Sequence, residues 1–274
     1  MKIPSRCYVL ASWIRRMFTR KHLYVTPSEI LGYFFSPSPN AKGALYLDRM
    51  ELVDDDRMVY LKGFDRPIYF PLQYSPHSIL TGITEVCDPE DFHYYEIAET
   101  SVDANDVVVD CGAAEGFFTH IIAGRCRQVY AIEPLPEFAY CLSKTFQNTN
   151  NVTIIQSALS DTCGEVCFKE SGIASIIADQ GIRVRCETID SLFHDKGIRI
   201  DYLKADIEGA ESKMLAGAAK TISKYRPKLA ITTYHIGNNE LEIKNQIMEM
   251  CSEYKFRIKG MNVVGVPVLL HAWV

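Results

Sequence analysis

The stretch 107–122 constrains this chain more than any other part of it. Val107, Val108 and Val109 are β-branched and apolar, as a strand buried on both faces requires. Asp110 and Cys111 end that strand, Gly112 and Gly116 follow, and an apolar, helical-looking run begins at Phe117 and Phe118. A strand, a tight glycine turn and a helix N-terminus let backbone N–H groups approach a ligand closely. The same punctuation continues downstream. Strand-like runs at 107–110, 128–132, 152–156, 202–206 and 229–234 alternate with amphipathic segments, the pattern of βαβ units on a mainly parallel sheet. Phe138, Leu142 and Phe146 recur every fourth residue behind Pro134 and Pro136, which predicts a helix with one buried face. Asn239 and Glu242 have the spacing of a capping box, with Ile243, Ile247, Met248 and Cys251 as the buried face behind it. Runs 254–259 and 267–273 are too close for a helical crossover and should pair antiparallel.

What ligand the loop takes is argued from its charges. Counted from Gly112, the dinucleotide fingerprint would need glycines where Ala114 and Phe117 stand, so a nicotinamide cofactor fits poorly. Asp110 at the strand end would repel a pyrophosphate and suits a cationic ammonium. Glu133 ends the next strand, where a carboxylate can accept ribose hydroxyls. The loop residues Cys111, Gly112, Ala113, Glu115, Gly116, Phe117 and Phe118, with Asp110, Glu133 and Pro134, therefore point to S-adenosylmethionine. Ser157 and Ala158, at the end of the third strand, are where the adenine should lie.

Composition bounds the partners. A net charge of −5 and a pI near 5.8 create no general attraction for nucleic acid, and none is expected as a partner. Nine cysteines are scattered with no C-x-x-C pair, which argues against disulfides or zinc and for a reducing, cytoplasmic setting. No apolar run approaches the length of a membrane span, and no secretory signal is evident. The start is basic, with Lys2, Arg6, Arg15, Arg16, Arg20 and Lys21 and no acid before Glu29. Leu10, Ile14, Met17 and Phe18 share one helical face with Trp13 beside it. Such a helix packs on its own domain or on a second subunit, the preferred reading, or lies on an anionic membrane through residues 1–21. An organellar presequence has a similar composition. Up to about residue 102 the chain shows short β-like runs, at 58–62 and 67–72, broken by Pro, Gly and Asp. Residues 1–100 are accordingly expected to form an extension and residues 101–274 the cofactor domain. Tyr94, Tyr95 and Glu96 stand where a lid over the ligand would begin.

At this point the residues resemble the FkbM family of methyltransferases. The matching pieces are Asp110, Gly112, Ala113 and Gly116; the run 129–134 ending in Glu133 and Pro134; Ser157 to Ser160; and Lys204, Asp206, Glu208, Gly209 and Glu211. A weaker match covers Pro227 to His235. They span roughly residues 100 to 255, and the Lys-x-Asp-x-Glu-Gly-x-Glu segment is the most distinctive. Ala114, where many methyltransferases carry glycine, is a mild departure that suits this family. Residues 1–90 match nothing. The resemblance implies an α/β, Rossmann-like class I methyltransferase. Its sheet is mainly parallel and seven-stranded, with an antiparallel C-terminal hairpin and a small N-terminal β/helical extension. It also implies S-adenosylmethionine as donor and, most often, O-methylation of a sugar, glycan or natural-product hydroxyl.

Lys204 and Asp206 are anomalous in a central strand, where two apolar faces are the rule. Burying a lone charge is costly, so they either pair with each other or reach the open C-terminal edge, where α/β sheets bind ligands. Asp206 is the candidate beside the methyl donor and Glu208 a second catalytic candidate, while Glu211 is explained by the helix dipole. His235 ends the following strand and is the candidate general base for a hydroxyl acceptor. The other six histidines are assigned no role. Asp206, Glu208 and Glu211 offer oxygen ligands, but nothing fixes their geometry and no metal is assigned. The rival readings are an N-methyltransferase and a binding module that holds the cofactor without turnover. Homo-oligomerisation stays open.

Overall fold

The computed structural model describes residues 5–18, 25–53, 56–168, 181–235, 240–262 and 265–274. Ahead of the cofactor strand lie helices α1 (Ser5–Phe18), α2 (Pro27–Phe35) and α3 (Pro39–Tyr46). Strands β1 (Leu47–Val53), β2 (Asp56–Leu61) and β3 (Ile68–Phe70) and helix α4 (Pro76–Cys87) follow. The three strands form an antiparallel sheet of their own in the order β1-β2-β3. Helices α2, α3 and α4 replace part of what the sequence suggested was loop and hairpin, and each carries a start signal. Thr26 and Glu29 form a capping box, while Ser38-Pro39 and Ser75-Pro76 are caps followed by proline at the first helical position.

The main sheet has seven strands. In chain order they are β4 (Val107–Cys111), β5 (Gln128–Ile132), β6 (Val152–Ile155), β10 (Tyr202–Ala205), β11 (Lys228–Thr232), β12 (Lys255–Met261) and β13 (Pro267–Trp273). A small sheet of β7 (Ala158–Leu159), β8 (Gly164–Phe168) and β9 (Ile182–Glu187) sits apart in the order β7-β9-β8. The spatial order of the large sheet is β12-β13-β11-β10-β4-β5-β6. Its first five strands in the chain run parallel, and only β13 pairs antiparallel, with both β11 and β12. The order reverses between β4 and β10, and the crevice at their C-terminal ends is where ligands bind in such sheets.

Helices α5 (Phe117–Ile122), α6 (Pro136–Phe146), α7 (Glu211–Ala216), α8 (Ala219–Tyr225) and α9 (Glu240–Met250) cover the sheet. On α6 the predicted residues Phe138, Leu142 and Phe146 are all buried. On α9, Ile243 and Ile247 are buried, as is Cys251 just past its end, but Met248 is 41% exposed, and Asn239 lies outside the described residues. One continuous core joins the early segment to the sheet: Val59, Ile68, Phe70, Ile79 and Ile83 pack in one cluster with Val108, Phe117, Phe118 and Phe138. The N-terminal helix departs from expectation. Val9 is its buried residue, Trp13 donates its indole N–H to the Val25 carbonyl, and Ile14, Met17 and Phe18 remain exposed. Lys2, Arg20 and Lys21 lie outside the described residues, so much of the basic 1–21 charge does too. Among the described residues no helix is long and apolar enough to cross a membrane.

Candidate active site

The glycine turn is shaped by backbone conformation. Gly112 has φ +74, and a Cβ there would run into the Asp206 carbonyl oxygen, so only glycine lets β4 and β10 approach this closely. Gly112 and Ala113 both donate their N–H groups to the Ile132 carbonyl at 3.0 Å, folding the turn over the tip of β5. Gly116, at φ +89, starts α5 without a side-chain cap, so the first N–H groups of the helix are not covered by a side chain of their own.

Asp110 lies elsewhere than its place at a strand tip suggested. It is 0% exposed and stands outside the wall of the cavity, as does Cys111. In the parallel register Asp110 sits opposite Lys204 of β10, and Lys204 Nζ lies 3.0 Å from its carboxylate. Thr119 donates its hydroxyl to the other oxygen at 2.7 Å. Lys204 also donates to the Gly112 carbonyl at 2.7 Å. Asp110 is thus tied through Lys204 to the Gly112 carbonyl of the loop. The sequence offered Lys204 two outcomes, pairing with Asp206 or reaching the edge, and the cross-strand partner was missed. Burial pulls the Lys204 pKa down, but Asp110 and Asp206 beside it outweigh this and raise it.

In front of the loop lies a cavity of about 460 Å³, a size suited to a small molecule. Gly112, Ala113, Glu115, Phe117, Phe118, Glu133, Pro134, Ser157, Ala158, Asp206 and Glu208 all line it. Glu133 accepts from the Ala114 and Leu135 N–H groups, one on each carboxylate oxygen, at 2.9 Å. Burial pushes its pKa up to about 7 despite these bonds, and does the same to Glu115. The early segment also reaches the wall. Gly82, Glu85 and Val86 of α4 face the cavity, and so does Tyr95.

At the far end the tips of β10 and β11 bring four groups together. Tyr95 donates its hydroxyl to Asp206 at 2.6 Å. The imidazole of His235 holds Glu211 through Nδ1 at 2.8 Å, while its Nε2 lies 3.5 Å from Asp206 and 3.6 Å from Glu208. Glu211 is wholly buried and also accepts the Ile207 and Gly209 N–H groups and the Thr232 hydroxyl. A helix dipole alone does not account for that, and the dipole reading of Glu211 is corrected: it holds the 207–209 turn and orients His235. Glu208 itself has φ +55, a conformation rare for a non-glycine residue. Burial would raise the pKa of Asp206, but Lys204 and His235 hold it below the usual carboxylate range. For His235 burial acts downward, and its bond to Glu211 with the nearby Asp206 charge turns the net shift upward. His235 does not itself line the cavity; Asp206 and Glu208 stand between.

The sequence of residues 110–258, more than half of the chain, matches the methyltransferase FkbM domain. The chain belongs to the FkbM methyltransferase family. Among solved structures it is similar to the methyltransferase FkbM of Methylobacillus flagellatus KT. The identity is 22%, over 72% of this chain and 53% of that one, with a TM-score of 0.53. It thus spans about half of that protein's length. More distant likenesses are TYW2 of M. jannaschii (16% identity, 81% and 87% of the two chains, TM-score 0.43) and Trm5b of Pyrococcus abyssi (12%, 82% and 62%, 0.45). No curated protein matches the sequence. The fold is that of a class I methyltransferase, and S-adenosylmethionine is the cofactor of an FkbM methyltransferase domain. The cavity suits it. Close backbone approach at Gly112, a carboxylate at Glu133 and an enclosed floor at Ser157 and Ala158 are what an adenosine ligand needs.

Proposed function

We propose that this FkbM methyltransferase methylates a hydroxyl oxygen on a sugar, glycan or natural product, with His235 as the base. The observation that carries this reading is the His235–Glu211 bond. With Nδ1–H donated to Glu211, the neutral ring keeps its lone pair on Nε2, turned toward Asp206 and Glu208 at the cavity wall. When bound, the cofactor supplies an electrophilic methyl group. As an acceptor oxygen takes up that methyl its proton becomes acidic and must leave; it passes through the Asp206 carboxylate at the cavity wall to Nε2 of His235, 3.5 Å behind it. Asp206, fixed by Tyr95, orients the acceptor hydroxyl, and Glu208 assists from the same wall. Gly112, Ala113, Phe117, Phe118, Glu133, Pro134, Ser157 and Ala158 hold the donor. We read residues 1–100 as an extension that closes one side of this site, and 101–274 as the transfer domain.

The direct test is transfer of a labelled methyl group to hydroxylated sugars, glycolipids and small natural products, with the product assigned by mass spectrometry. Label on oxygen supports the reading; label on nitrogen alone, or donor binding with no transfer to any acceptor, overturns it.

A pH profile tests the base. Only neutral His235 can accept a proton, and its pKa lies above the ordinary histidine value of about 6.5. The rate should therefore rise with pH along a limb centred above about 6.5. Glu211→Gln removes an influence that raises the pKa, so the limb should move to lower pH. A limb that stays in place would remove Glu211 from the assignment. No metal takes part in this scheme. Ligand atoms of Asp206, Glu211 and His235 lie within 4.8 Å of one another, but those of Glu211 are already engaged by two backbone N–H groups, Thr232 and His235. EDTA should leave the rate unchanged, with metal analysis of the purified protein as the check.

A further inference from the structure

The family match begins at residue 110, yet part of the cavity wall comes from chain ahead of it. Glu85 on α4 is the charged member of that part. Helix α4 reaches the site because Gly82 lies directly against Phe117, leaving the next turn to present Glu85 to the cavity. His93 follows behind it, with Nδ1 3.8 Å from the Glu85 carboxylate. The His93 ring packs edge-on against Tyr234 at 5.2 Å, and Tyr234 packs on His235 at 4.2 Å. A chain of contacts thus runs from Glu85 through His93 and Tyr234 to the base. It links the α4 side of the cavity to the β10 and β11 tips, where His235 stands.

We infer that Glu85, backed by His93, is the acceptor-recognition residue of this enzyme and restricts it to acceptors without a negative charge. This rests on the hydroxyl-acceptor reading above. The cavity wall carries Glu85, Glu115, Glu133, Asp206 and Glu208 against two lysines, Lys213 and Lys204, the latter bonded to Asp110 and the Gly112 carbonyl, so acids predominate. A carboxylate or phosphate on the acceptor would meet like charges at short range in a partly desolvated site, a strong penalty. A neutral polyol instead offers O–H donors, which ionised carboxylates accept well. His93 supports Glu85 electrostatically. Burial acts against the charge of His93, but Glu85 and Asp91 raise its pKa to about 9, so it stays cationic and steadies the carboxylate. Glu85 itself is pushed up to about 6 by burial, with His93 opposing, and is mostly ionised at neutral pH.

The test uses the full chain saturated with S-adenosylhomocysteine. Methyl glucoside, methyl galactoside and methyl rhamnoside are compared with methyl glucuronide by calorimetry, and methyl transfer to each is measured in parallel. Binding of at least one neutral glycoside, with the glucuronide at least tenfold weaker, is expected. Glu85→Gln should weaken the neutral glycoside about tenfold, raise its KM more than it lowers kcat, and narrow the gap to the glucuronide. The Kd for S-adenosylhomocysteine should change less than twofold, which also reports that the variant is folded. Glu85→Asp, keeping the charge, should retain the discrimination. The inference is overturned if no neutral glycoside binds, if the glucuronide binds as well, or if Glu85→Gln weakens S-adenosylhomocysteine and leaves glycoside affinity alone. Glycoside binding without methyl transfer would instead count against the hydroxyl-transfer reading.

Discussion

Lys204→Met is expected to destabilise the protein by about 3–5 kcal/mol, the range seen when one partner of a buried ion pair is removed. Lys204 is 4% exposed and Asp110 0%, so the carboxylate left behind is buried away from bulk water. The Asp110 carboxylate would be left in the central sheet with one hydroxyl, from Thr119, as its remaining partner. For a domain of this size the loss corresponds to a fall in Tm of roughly 6–20 °C. The Gly112 carbonyl loses its donor as well, so cofactor affinity should fall alongside stability. Asp110→Asn combined with Lys204→Met removes both charges and should recover much of the stability, because the penalty belongs to the unpaired charge. Denaturant unfolding of the wild type, the single variant and the double variant decides it. Losses below about 1 kcal/mol in the single variant would mean that the pair is as weakly coupled as one at the surface.

His235→Ala should lower kcat by about 10²–10⁴-fold, the usual contribution of a general base. The Kd for S-adenosylhomocysteine should change less than twofold, since His235 stands behind Asp206 and Glu208 and does not line the cavity. Because the imidazole also bonds the buried Glu211, thermal unfolding must accompany the kinetics. His235→Gln, whose amide can still donate to Glu211, separates the two roles. It should keep stability and lose turnover. Turnover retained in the glutamine variant would assign His235 to holding Glu211 and nothing more.

Much of this fold was legible because it is written locally. Three consecutive valines, glycines at two turn positions and proline at the head of α6 each act within a few residues of themselves. Most strands of the large sheet were marked by their own apolar runs, while β10 and β12 carry lysine or arginine among their apolar residues. The three early helices, α2 to α4, were less legible because each is short, 8 to 12 residues, and sits among β-like and loop-like stretches. Their caps at Thr26, Ser38 and Ser75 were the available signal. The exposed Ile14, Met17 and Phe18 show the limit of periodicity, which marks an apolar face without saying what, if anything, covers it.

The site divides in the same way. The sequence by itself determined the glycine loop, the carboxylate at the tip of β5 and the polar residues at the tips of β10 and β11, because strand ends in a parallel sheet are set by hydrophobic runs. Only the tertiary structure decided what each charge does. The register between β4 and β10 set Lys204 against Asp110, whose carboxylate is wholly buried. The closeness of the β10 and β11 tips gave Glu211 to His235, across 24 residues of chain. Residues from α4 to Tyr95, well ahead of the loop, came to face it only through packing on α5 and β10. Charge pairing depends on distances across strands, and those are settled by register and packing, which no local pattern carries.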